Sequence, residues 1–204
     1  MGTRNLTCVV SGGAYRVAQY GQWDGYPEGQ GVKILNFLSA EGNIGKLKSA
    51  MTRVRFLDPE GRDKEFVELY NKNAPEWSND PDNRTEDQKR WFETFANRDI
   101  GGDILETVGS ADDAEMLLRN SLNFAGDSLF CEWAYVVDLD KGTFEIYKGF
   151  NKKALSEEER FAGIECDDAE FKQVRHAVTF GLDVLPTEDA FLAAFESKAD
   201  EDDD

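Results

Sequence analysis

The run Phe-Cys-Glu-Trp-Ala-Tyr-Val-Val-Asp at 130–138 is the strongest strand signal in the chain, and it needs partners. Asp140-Lys141-Gly142 turns it into Thr-Phe-Glu-Ile-Tyr at 143–147, which predicts a hairpin. A second hairpin is written near the start. Residues 4–10, Arg-Asn-Leu-Thr-Cys-Val-Val, alternate; Ser11-Gly12-Gly13 turns the chain; Ala14 to Tyr20 runs back. An isolated hairpin is only marginally stable in water, so the two are expected to share one sheet. Val174, His176, Val178 and Phe180 alternate with polar or small residues and predict one more strand.

Between the hairpins the period changes. Ile34, Leu35 and Leu38 fall at helical spacing. From 43 to 118 the pattern reads as helical: Ile44, Leu47, Met51 and Val54 mark one stripe, and Phe66, Leu69 and Tyr70 a shorter one. Asp58-Pro59-Glu60-Gly61 is a turn, and residues 73–84 are a polar, proline-containing loop. Thr85, with Gln88 three residues on, opens a helix that carries Trp91, Phe92 and Phe95. Pro186 to Glu196 is a final helix. The fold class is therefore α+β: a single layered domain over residues 1–197, with a mixed or antiparallel sheet built from the N-terminal and C-terminal hairpins and helices between. Residues 198–204 are expected to form a disordered acidic tail.

Composition narrows the function. The formal charge is −18, spread along the chain rather than confined to the tail. Such a surface repels phosphate, because nucleic-acid affinity comes largely from Lys and Arg. Nucleic acid and anionic membrane are accordingly not expected partners. Cys8, Cys131 and Cys166 are far apart, with no C-x-x-C, which argues for free thiols and against a zinc site. The first six residues hold no apolar signal core, and no run approaches the length of a membrane span, so the protein reads as cytoplasmic. No metal and no cofactor are expected.

One stretch does not read as packing: Tyr-Gly-Gln-Trp-Asp-Gly-Tyr-Pro-Glu-Gly-Gln-Gly at 20–31, between a strand and a helix. It is neither the dinucleotide fingerprint nor a P-loop. Asp24 and Glu28 would oppose an anion and suit a cation, an amine or a set of sugar-like hydroxyls, with Trp23 or Tyr26 as a stacking face. The glycines would let a ligand approach the backbone. The candidate ligand-binding residues are Trp23, Asp24, Tyr26 and Glu28, with Arg4 and Arg98 as charge partners. The competing reading is a tight corner, in which Trp23, Tyr26 and Pro27 form a small satellite core and Asp24 caps the turn. Asn97-Arg98-Asp99-Ile100-Gly101-Gly102-Asp103 forms a similar charged, glycine-bearing helix entrance that could face it, with Asp99 near the helix N-terminus.

"RVAQYGQWDGYPEGQGVKIL" resembles a largely uncharacterised family of short microbial and phage-type proteins with a strand, then (H/Q)WDGYPxG, then a helix. The resemblance covers about the first 40 residues, with looser echoes in "NRDIGGDIL" and "CEWAYVVDLDKGTFEIY". It implies that Trp23, Asp24, Gly25, Tyr26, Pro27 and Gly29 form a signature, and it implies no particular activity. Other members carry His before the Trp; Gln22 stands there in this chain, so no acid–base role is implied at that position.

Three function classes compete. The preferred one is a small soluble binding protein with its ligand site at the WDGYPEG loop. The second is an acidic interaction protein that occupies a basic partner surface. The third is a hydrolase, either carboxylate-based through Asp24 and Glu28 or of N-terminal-nucleophile type with Thr3 or Cys8 as nucleophile. His176, the single histidine, sits on an alternating strand and reads as structural before it reads as a general base.

Overall fold

The computed structural model describes residues 2–57, 68, 85, 99–111 and 115–196. The stripe at Phe66, Leu69 and Tyr70, the turn at Asp58, the loop at 73–84, the helix carrying Trp91, Arg98 and the acidic tail lie outside these residues.

Both predicted hairpins form, and they share a sheet. Strands β1 (Asn5–Ser11) and β2 (Ala14–Gly21) pair antiparallel around Gly12 and Gly13, at φ 64° and 70°. That double left-handed turn is one that two glycines adopt without steric penalty and that matches strand twist. β5 (Trp133–Asp138) and β6 (Thr143–Lys148) pair antiparallel around Gly142, and β7 (Arg175–Gly181) adds to β6. The sheet order is β2–β1–β5–β6–β7. The seam between the hairpins is parallel, from Asn5 opposite Trp133 to Val10 opposite Asp138, so the sheet is mixed. β1 is thereby flanked on both sides, which explains why six of its seven residues are buried.

Alternation sorts the side chains onto two faces. Val9, Val17, Tyr135, Val137, Phe144 and Ile146 face the helices. There they meet Ile34, Leu35 and Leu38 of α1 (Val32–Ser39), Leu47 of α2 (Asn43–Ala50), Ile104, Leu105 and Val108 of α3 (Ile104–Gly109), and Phe191 of α4 (Glu188–Glu196). Leu6, Cys8, Ala134, Val136 and Tyr147 face the other way, under a layer of irregular connections that supplies Ala125, Cys131, Phe161 and Val174.

The expected helical run from 43 to 118 is corrected at both ends. Val54 lies in β3 (Val54–Phe56), which pairs parallel with β4 (Met116–Leu118) in a small second sheet. The two strands are three residues each, too short to show alternation, and their pairing is set by distant chain, which local patterning does not record. No helix among the described residues is long and apolar enough to cross a membrane.

The irregular layer is fastened to the sheet by charge. Arg160 places Nη2 2.5 Å from Asp138 Oδ2 and Nε 2.7 Å from Glu145 Oε2. Tyr147 donates its hydroxyl to the same Glu145 oxygen at 2.6 Å, and Thr143 donates to the other at 2.9 Å. Burial alone would raise the Glu145 carboxyl, but the hydrogen bonds from Arg160 and Tyr147 outweigh it and hold the carboxyl below its usual range. At the same end, Asp140 ties the two hairpin turns together by accepting from the Gly12 and Gly13 amides at 2.9 and 2.8 Å. Those two amides, Gly13 first, hold its carboxyl below the usual value.

Candidate functional site

The WDGYPEG loop leaves β2 and enters α1 through a π-helical turn, Pro27–Gly31. Pro27 suits the opening position, where its missing N–H is not needed. The backbone of the loop is fastened from below. Gly25 donates its N–H to Thr3 O at 2.9 Å and accepts the Tyr135 hydroxyl on its carbonyl at 2.7 Å. Gln30 donates its N–H to Asp24 O at 2.8 Å. Its side chain donates to Trp23 O at 3.3 Å and accepts the Gly102 amide at 2.7 Å. The segment before α3 therefore does face the loop, through Gly102 and Gln30; Asp99 is exposed, and no side chain caps the helix entrance.

The glycines answer to space rather than to a ligand. A Cβ on Gly25 would lie 2.7 Å from Thr3 O, and one on Gly29 would lie 2.2 Å from Asp24 O. On Gly31 it would press on the Phe191 ring at 3.0 Å. None of these three has a positive φ. The left-handed residue of the loop is Asp24, at φ 53°. Asp tolerates that region better than most side chains, because its short carboxylate bonds locally.

While the backbone is packed, the side chains project outward. Trp23 is 48% exposed and Tyr26 41%, and Asp24 and Glu28 are also exposed. The expectation of a buried Trp23 in a satellite core is therefore not met, although the Gly2 backbone lies against its ring. The Tyr26 hydroxyl donates to Asp24 Oδ1 at 3.3 Å. The Asp24 charge, more than the hydrogen bond itself, raises the Tyr26 phenol, which keeps it a donor.

Arg4 does not meet the carboxylates. Its guanidinium lies 4.5 Å over the Phe130 ring. Its backbone exchanges hydrogen bonds with Glu132, donating to the side chain at 3.3 Å and accepting the amide at 3.2 Å. Among the described residues neither Asp24 nor Glu28 forms an ion pair, and Arg98 lies outside them.

The register shows what else shares this end of the sheet. Asn5, Gly21, Trp133 and Lys148 lie in one row across four strands, so Trp23, Arg4, Phe130 and Phe150 all emerge just beyond it. Phe130 and Phe150 are exposed, and Phe150 shares with Asp24 a left-handed backbone, at φ 54°. Patterning placed Phe130 inside the strand, which begins only at Trp133, and overlooked Phe150. The only local clue was a large apolar residue just outside each strand.

The hydrolase residues fare differently. Cys8 is fully buried, and burial pushes its thiol up against the opposing pull of Arg160. Thr3 holds the loop through its carbonyl. His176 lies on β7 with Nε2 2.7 Å from Thr179 Oγ1 and its ring edge-on to Tyr147. Among the described residues no group of three His, Cys, Asp or Glu side chains is arranged to hold a metal ion. No family model matches the chain, and neither the curated proteins nor the solved structures give a significant match.

Proposed function

We propose that this protein is a binding protein whose ligand lies across the outward side chains of the WDGYPEG loop. One observation carries the reading. Four of the five large hydrophobic side chains exposed among the described residues, Trp23, Tyr26, Phe130 and Phe150, belong to one end of the sheet. Single exposed apolar groups need no explanation, but a group of aromatics at one end marks a surface that meets something. Among the described residues both non-glycine positions with left-handed backbone, Asp24 and Phe150, belong to the same end, and such strain clusters at functional sites. Trp23 and Tyr26 offer flat faces beside the Asp24 and Glu28 carboxylates, a combination suited to an amine, another cation or a row of hydroxyls.

The test pairs thermal melts with a screen of amines and oligosaccharides. Asp24→Asn and Glu28→Gln keep shape and lie on exposed side chains, so both should melt within about 0.5 kcal/mol of wild type while losing the ligand. Trp23→Ala should lose it as well. Destabilised carboxylate variants together with a blank screen would overturn the proposal.

A further inference from the structure

On the sheet face that meets the helices, three neighbouring polar side chains are sealed from water. Alternation places Asn5 and Thr7 on that face with Val9, and Gln19 joins them as the cross-strand partner of Thr7. Asn5 and Thr7 are fully buried, and Gln19 is 7% exposed. Each carries a buried oxygen that no described residue pairs: Asn5 Oδ1, Thr7 Oγ1 and Gln19 Oε1. The amide nitrogens are occupied, Asn5 Nδ2 by Trp23 O at 3.4 Å and Gln19 Nε2 by Tyr20 O at 2.9 Å. Any state that admits water to the three oxygens restores the hydrogen bonds they forgo here, so their burial opposes closure of the fold above them.

The short turn Gly101–Asp103 packs against β1 and β2 on this side, next to Gln30 and Ile34. Its hold is slight. Gly102 donates its N–H to Gln30 Oε1 at 2.7 Å, and the exposed Lys33–Asp103 pair at 2.9 Å adds little in water. Gly101 and Gly102 have no side chains, so moving their backbone uncovers little apolar surface. Ile100 and Ile104, buried in the core on either side, fix the ends of the segment. Gly101 stands at φ 48°, and a glycine passes from there to negative φ without steric penalty.

We propose that Gly101–Gly102 is a gate over this polar row. It opens while the sheet stays folded, and it exposes Asn5, Thr7 and Gln19 to water and to the hydrogen-bond donors of a ligand. The unpaired oxygens favour opening, and the Gln30 bond opposes it. The gate is distinct from the aromatic surface and stands whether or not that surface binds a ligand.

Native-state hydrogen exchange on the full chain tests it. The Gly102 amide is buried and hydrogen-bonded, yet it should be protected about a hundredfold less than that of Val136 in β5. Low urea should leave its exchange unchanged, as local opening requires. Thr7→Val removes one unpaired hydroxyl at nearly constant shape. That variant should raise Tm by about 2–4 °C and slow exchange at Gly102 about tenfold. Thr7→Ser keeps the hydroxyl, so Gly102 should exchange at least as fast as in wild type. Three results would each overturn the proposal: Gly102 exchange that rises with urea in step with Val136, a Thr7→Val variant that melts lower than wild type, or one that leaves Gly102 exchange unchanged.

Discussion

Gly29 shows what a single position in the signature is for. A methyl group there would fall 2.2 Å from the Asp24 carbonyl oxygen, and that oxygen is held by the Gln30 amide at 2.8 Å. Backbone on backbone has no rotamer to relax into. Gly29→Ala should therefore lose about 3 kcal/mol in urea denaturation, the upper end of overpacking effects. Asp24 obeys a different rule, since its constraint is φ 53° rather than space. Asn shares the tolerance of Asp for that region, whereas a β-branched residue does not. Asp24→Val should lose about 1–2 kcal/mol where Asp24→Asn loses almost nothing. Equal losses in the two variants would mean that the carboxylate, not the backbone, stabilises the turn. The sequence showed that these glycines matter but could not separate the reasons, because lack of room and positive φ select the same residue.

At the scale of elements, the loop depends on a strand far away in sequence. Tyr135 of β5 donates its hydroxyl to Gly25 O at 2.7 Å, within a fully buried contact. Tyr135→Phe would leave that carbonyl unpaired in the interior and should lose about 1–3 kcal/mol. If the loop is held there as described, hydrogen exchange should speed up at the amides of Gly25 and Gln30 before it does so in β6. The same contact explains which parts of the molecule could be read in advance. Both hairpins, β7, α1 and α4 were legible because alternation, Gly-Gly and Asp-Lys-Gly turns and helical spacing are local signals. β3 and β4 were not, since three residues carry no period and their partner is remote. The site divides in the same way. Trp23, Asp24, Tyr26 and Glu28 stood out by composition, while the pairing of Arg4 with Phe130 depends on the parallel seam between β1 and β5. Arg160 was invisible, because only folding brings Asp138, Glu145 and Tyr147 to one side chain.

For the molecule as a whole, that arginine joins the irregular layer to the sheet beside the apolar contacts of Phe161 and Val174. Its side chain and those of its two carboxylate partners are nearly removed from water, at 12%, 2% and 9% exposure for Arg160, Asp138 and Glu145. A buried pair of this kind adds little over a well-packed apolar replacement, yet breaking it on one side strands the remaining charges. Arg160→Met should thus lose about 3–5 kcal/mol near neutral pH. The pH dependence gives the decisive sign. In the wild type the Glu145 carboxyl is held below its ordinary 4.5, so its stabilising contribution is complete above that value and fades as acid protonates it. Without Arg160 the desolvation that raises the carboxyl has lost its main opponent, so Glu145 destabilises the variant when charged and is relieved by protonation. The stability gap between wild type and variant should therefore narrow as urea denaturation is repeated from about pH 7 down to about pH 4. A gap that stays constant across that range would mean that Arg160 acts through the packing of its aliphatic stem, and that the layers are joined by shape instead of charge.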